Sequence, residues 1–235
     1  MKKLTILLLF ILIAASANSQ ILISLLLGDK LNSEGMEFGL EGGINWAKIS
    51  ELETDASRSA LNLGFYFDIR MKNQFWLHTG FLAVTTFGVD NLKDNDLNFL
   101  DVTTYDAEGD YNQTLNYFAL PVLAKYKFKN HIYLEVGPQF GMAYRPYVEF
   151  LESNDEIDAR IREYNMEKIN RMDAGIRTGI GYKLLQGKGM NIGIAYYYGF
   201  ANVYKDRSGT NNQSFFIVAD IPIGRGKVKS EQSEK

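Results

Sequence analysis

From Met36 onward the chain is a succession of runs in which apolar and polar residues alternate, joined by connections that are by turns long and short. Strict period two places one side-chain set on each face of a β-strand. Where every run has one continuously apolar face, and short turns alternate with long loops, a transmembrane β-barrel satisfies the pattern. The runs put Met36, Phe38, Leu40, Ile44 and Trp46 outward, then Leu61, Leu63, Phe65, Phe67, Ile69 and Met71. The third, Phe75 to Val89, presents Phe75, Leu77, Thr79, Phe81, Ala83, Thr85 and Phe87, and the fourth Phe118, Leu120, Val122, Ala124 and Tyr126. The fifth shows Ile132, Leu134, Val136, Pro138, Phe140, Met142 and Tyr144; the sixth Ala174, Ile176, Thr178, Ile180 and Tyr182; the seventh Ile192, Ile194, Tyr196 and Tyr198; the eighth Phe215, Ile217, Ala219 and Ile221. Eight runs predict an all-β fold, an eight-stranded antiparallel transmembrane β-barrel with short periplasmic turns and long outer loops. Each run has about the ~9–11 residues that a tilted strand needs to cross.

The first 35 residues precede this pattern. Lys2 and Lys3, the apolar Leu4 to Ala14 and the small residues Ala15 to Ser19 read as a signal peptide over 1–19. A periplasmic segment follows over 20–35, then the barrel over 36–223 and a polar periplasmic tail over 224–235. The apolar Ile21 to Leu27 is open to two readings: a flank that packs locally, or a segment that plugs the barrel or docks a periplasmic partner. A mean hydropathy of −0.17 excludes a helical membrane protein and suits a barrel with a wet interior and wet loops. The absence of cysteine excludes disulfides, thiolate metal sites and lipoprotein acylation. A net charge of −3 argues against nucleic acid as a partner.

Three irregularities break the pattern. Pro121 and Pro138 fall inside runs, and since proline cannot donate to a ladder a bulge is expected at one or both. Between Glu149 and Arg171, Ile157, Ile161, Tyr164 and Ile169 recur near helical spacing, which predicts a short amphipathic helix in the third outer loop. The loop from Asp90 to Gln113 is rich in aspartate; Asp94-Asn95-Asp96 lacks the glycine and terminal glutamate of a calcium loop, so a solvated loop is expected.

Several segments resemble the PorT-like outer-membrane β-barrel family of Bacteroidetes. They are Leu77-His78-Thr79-Gly80-Phe81, Tyr117-Phe118-Ala119-Leu120-Pro121-Val122-Leu123-Ala124-Lys125-Tyr126 and Tyr133-Leu134-Glu135-Val136-Gly137-Pro138. Asp173-Ala174-Gly175, Gly179-Ile180-Gly181-Tyr182 and Tyr196-Tyr197-Tyr198-Gly199-Phe200 continue the order. The resemblance implies an outer-membrane barrel without a known enzymatic activity for most members, and one branch of that family serves type IX protein secretion.

The inward series carries Glu37, Glu41, Asp68, Arg70, Lys125, Lys127, Glu135, Arg177 and Lys183. In a narrow barrel such charges pair and fill the interior, so these nine are expected to form a structural cluster, with Arg177 and Glu135 as one candidate pair. Hydrolysis needs a nucleophile with a base in reach. The two histidines are His78, on an inward position, and His131, at a periplasmic turn, and neither falls in a Ser, His and acid arrangement. His78 reads as a lumen hydrogen-bonding residue. No catalytic, cofactor or metal site is expected, and Trp46, Trp76, Tyr144 and Tyr147 read as interfacial girdle. The expected role is structural or protein-interacting in the envelope, as an accessory of secretion, with outer-membrane lipid around the barrel and a protein partner on the outer loops or the 20–35 segment. Two alternatives stay open: a small ion or solute pore, and a soluble periplasmic barrel that binds an apolar ligand.

Overall fold

The computed structural model of the chain describes residues 33, 35–152 and 160–223. The signal peptide, nearly all of the 20–35 segment and the 224–235 tail lie outside the described residues, as does Ile157. The described residues form nine strands: β1 (Met36–Ile49), β2 (Arg58–Lys72), β3 (Phe75–Val89), β4 (Gly109–Lys127), β5 (Ile132–Glu152), β6 (Arg160–Tyr164), β7 (Met172–Lys183), β8 (Asn191–Asn202) and β9 (Asn211–Pro222). Two short helices join them, α1 (Asp94–Leu100) and α2 (Leu184–Gly187).

All pairings are antiparallel, and eight strands close in the ring β1-β2-β3-β4-β5-β7-β8-β9, with β9 returning to β1 through pairs such as Gly43 with Val218. β6 stands outside the ring and pairs only with the far end of β5. The turns after β2, β4 and β7 gather at one end of the barrel, the turn end, and the longer connections at the other, the loop end.

The faces follow from period two. Phe65, Leu134, Ile194 and Ile217, on four strands, are 38–46% exposed, whereas Tyr66, Tyr133, Ala195 and Phe216 beside them in sequence are at 0–3%. An outside that is apolar and an inside that is charged is a membrane barrel's distribution, the reverse of a soluble barrel around an apolar ligand. Aromatic residues collect where the apolar band ends. Phe75, Tyr126 and Phe128 meet edge-on in series at the turn end, while Trp46 lies tilted against Phe215 and Tyr198 edge-on against Phe200 at the loop end.

Neither Pro121 nor Pro138 makes a bulge. Thr79 with Val122 and Leu82 with Ala119 keep one register across Pro121, and Pro121 with Gln139 and Ala124 with Val136 keep one register across Pro138. Each proline removes its own N–H from the ladder and the strands do not slip. Thr79 Oγ1 instead donates to the Pro121 carbonyl at 2.9 Å.

The slips lie elsewhere. Val84 pairs with Leu63 while Leu82 pairs with Gly64, so Ala83 is an extra residue in β3. One extra residue exchanges the faces of everything beyond it. Thr85 and Phe87, expected outside, are therefore buried inside at 0% and 2%, and Val84 takes the lipid side. A second slip, at Arg145-Pro146, sets Thr114 against Tyr147 and Asn116 against Tyr144, with Arg145 in the left-handed region at φ 49°.

The expected helix between Glu149 and Arg171 is not formed by the described residues. Ile161 and Tyr164 are exposed on β6, which extends β5 as a hairpin, and Ile169 is fully buried at the loop end. The acidic loop, expected to be solvated, holds α1 in its first half, and α1 buries Asp96, Leu97 and Leu100.

Candidate functional site

Inward parity gathers most of the buried charged residues in the turn-end half of the barrel, while Asp173 lies apart at the loop end. Glu37 on β1 accepts from Lys183 Nζ on β7 at 2.6 and 2.7 Å and from the Tyr66 hydroxyl on β2 at 2.9 Å. Asp68 on β2 meets Lys127 Nζ at 2.6 Å, Lys125 Nζ at 3.5 Å and His78 Nδ1 at 2.7 Å. Lys125, fully buried on β4, also reaches Glu135 at 3.4 Å and Asp220 at 3.5 Å, with its ammonium 4.2 Å from the Tyr133 ring.

Arg177 does not pair with Glu135, the partner that shared inward parity suggested. Its Nη2 donates to Glu41 across the lumen at 2.8 Å, and its Nη1 lies 3.4 Å from Gln139 Oε1. Parity says which way a side chain points, and the reach of an arginine across a narrow lumen decides what it meets.

Of the nine expected residues, Glu37, Glu41, Asp68, Lys125, Glu135, Arg177 and Lys183 are buried in this network, and Lys127 sits at its edge. Arg70 is not part of it. It lies exposed on the turn-end rim, where Nε donates to the Asn73 carbonyl at 3.2 Å. Trp76, expected in the girdle, points inward at the same rim with Lys127 Nζ 3.8 Å from its ring, and both line a recess of about 200 Å³.

Two members were missed. Asp220 follows from the alternation of the eighth run, which makes it inward, and Asn191 Nδ2 donates to it at 3.1 Å. His78, expected only as a hydrogen-bonding residue, is the joint between Asp68 and Glu41, whose oxygen lies 3.4 Å from Nε2. Both ring nitrogens thus face carboxylates, and Tyr66 stacks on the ring at 5.7 Å. The imidazole thus links two carboxylates from neighbouring strands.

The loop-end half of the interior packs a hydrophobic core beside a buried polar set, in which Asp173 accepts from the Tyr197 hydroxyl at 3.1 Å and from Asn212 Nδ2 at 3.0 Å and Asn45 joins Asn62 and Ser214. Phe87 packs on Tyr117, Tyr197 and Phe216 with ring centroids 5.5, 5.5 and 6.3 Å away. Ala47, Leu115, Ala143 and Val148 from the barrel strands join it, and from above come Leu92, Leu97, Leu100, Ile169, Val203 and Tyr204. These last six lie on connections, which fold inward as a lid. Leu92, Leu97 and Leu100 could have been found as an apolar set within the aspartate-rich loop; Val203 and Tyr204 carry no periodic signal.

One buried carboxylate clasps this lid. Asp96 on α1 accepts the Glu53 amide at 3.1 Å from the first loop and Arg207 Nη1 at 3.1 Å from the last. Arg207 lies over Phe99, which meets Tyr204 edge-on at 5.4 Å. Burial, with Asp96 nearby, holds the Tyr204 hydroxyl above its ordinary range. The carboxylate weighed as a calcium ligand is thus occupied by an arginine and an amide.

The profile of a family described as outer membrane protein beta-barrel domain matches residues 19–205. No curated protein matches the chain. Among solved structures, the chain is similar to Ail, the attachment invasion locus protein of Yersinia pestis, in complex with the heparin analogue sucrose octasulfate. The identity is 12%, the match covers 81% of this chain and 100% of that one, and the TM-score is 0.44. Neisserial surface protein A is 10% identical over 80% of this chain and 99% of that one, with a TM-score of 0.43. OprG from Pseudomonas aeruginosa is 14% identical over 80% and 93%, with a TM-score of 0.37.

Proposed function

We propose that this chain, which belongs to the outer membrane protein β-barrel domain family, acts in the outer membrane as a closed, non-enzymatic scaffold that presents folded loops to another envelope component. The observation that carries this reading is that the interior is filled along its length. The charged layer occupies the turn-end half, and the Phe87 core with its lid the loop-end half. Buried ions locked in mutual pairs, aromatic rings stacked across the lumen, and Asn, Ser and Asp side chains bonded to one another among them suit a rigid plug.

The short turns are read as periplasmic and the loops as facing outward, the usual arrangement of such barrels. The loops are the part with a shape to recognise: the last loop is bonded to the stretch after β6 through Lys205 N and the Lys168 carbonyl at 3.0 Å and to α1 through Arg207 and Asp96 at 3.1 Å, and Thr103 N just after α1 donates to Glu163 on β6 at 3.2 Å. The resemblance to the PorT-like branch supports protein secretion as the process served, with the loops or the 20–35 segment as contact.

The purified barrel in planar bilayers should be electrically silent. A steady, ion-selective conductance would establish an open lumen and replace the scaffold by a pore.

A further inference from the structure

Above the apolar band, the extra residue at Arg145-Pro146 turns Tyr147 and Glu149 to the outward side of β5. Register then sets Tyr147 beside Tyr164 and Glu149 beside Arg162, with Leu151 beside Arg160, on the same face of the β5–β6 hairpin. The opposite face is covered, since Phe150 packs on Tyr105 and Tyr111. The open face is continued below by Met142 and Met172, 47% and 63% exposed in the lipid band.

Two guanidiniums converge there on one carboxylate. Glu149 Oε1 lies 2.7 Å from Arg162 Nε and 3.4 Å from Arg160 Nε. It is the one carboxylate within ion-pair reach of either among the described residues, so the group keeps a net positive charge. Both contacts use Nε, and the terminal N–H groups of the two arginines make no hydrogen bond with another described residue. Their side chains are 57% and 41% exposed, and the Tyr147 ring supports Arg162 at 4.7 Å. Arg145 and Arg171, also exposed, mark the way down to the Met142 and Met172 level.

Height selects the occupant. Glu149 is about six strand steps above Met142 once the bulge is discounted, or ~15 Å at ~3.3 Å per residue and a tilt of ~40°. A phospholipid headgroup layer adds only about 5–8 Å to the hydrocarbon core. A phosphorylated saccharide reaches further, and paired guanidiniums suit a phosphate because each can offer two parallel N–H groups.

We propose that Arg160 and Arg162 clamp a phosphate on the saccharide headgroup of an outer-leaflet glycolipid, seating the hairpin against the leaflet. The inference rests on the loop end lying outside the cell. The test uses the full chain in mild detergent, wild type and R160Q/R162Q, and counts bound lipid by native mass spectrometry. The lipids are a phosphorylated lipooligosaccharide, the same glycolipid after phosphatase treatment, and phosphatidylglycerol. Wild type should retain the phosphorylated glycolipid, with an affinity at least about tenfold higher than the double variant shows for it. The phosphatase-treated lipid should lose the same advantage on wild type, a comparison that needs no variant to fold. Equal retention by R160Q/R162Q, retention unaffected by phosphatase, or equally tight phosphatidylglycerol would each overturn the clamp. Topology is checked separately by protease on intact cells, so a reversed barrel and a failed clamp give different results.

Discussion

Among single residues, the charged layer makes the sharpest demand. Arg177 and Glu41 are buried partners at 2.8 Å, and removing one strands the other without water. Arg177→Ala or Glu41→Ala should each destabilise the barrel by about 3–5 kcal/mol. The double change should fall short of the sum, by roughly 0.5–3 kcal/mol, in urea unfolding from lipid vesicles. Additive losses would show that the two are not coupled. On the other face, Phe65→Arg places a charge in hydrocarbon and should cost about 2–4 kcal/mol in the same assay. Gly64 next to it has a different limit, because a Cβ there would overlap the Phe81 carbonyl oxygen of β3. The inward direction of the charges was legible in the alternation. Their pairing was not, since Arg177 finds Glu41 across the lumen through side-chain length.

At the scale of elements, the strands were readable because lipid on one side and packed lumen on the other impose period two on every crossing, and β3 runs over the expected Phe75–Val89. The bulges were not readable. Ala83 differs in no chemical way from its neighbours, and the exchange of faces beyond it shows only in what Thr85 and Phe87 touch. The prolines misled because a lost N–H was taken for a slipped register. The loop helix was misplaced because aspartates around α1 hid three leucines, while the spacing after Glu149 imitated a helix in a segment whose described part is a strand hairpin followed by turns. The clasp on α1 can be tested alone. Asp96→Ala removes the acceptor of Arg207 and of the Glu53 amide, so the lid should open more easily by about 1.5–3 kcal/mol. Hydrogen exchange should quicken at Leu97 and Leu100 while the β1–β9 ladder stays protected. Equal acceleration in both would mean that lid and barrel unfold as one.

For the molecule as a whole, the two ends differ in kind: three short turns at one, a folded lid at the other. Protease added to intact cells should nick the loops around 90–113 or 149–171 and spare the turn at Lys129-Asn130. Cleavage seen only after the outer membrane is breached would reverse the orientation. The meeting of β9 with β1 also governs the order of events during biogenesis. The segments that seal the ring stand near opposite ends of the chain, so the seam cannot form until the last strand has been synthesised and delivered. Every earlier intermediate has a greasy exterior and two raw strand edges, the condition in which sheets add to one another indiscriminately. Loop closure over so long a span is slow. Transit from ribosome to membrane therefore has to be escorted, and the bilayer is the first solvent in which completing the circle is downhill.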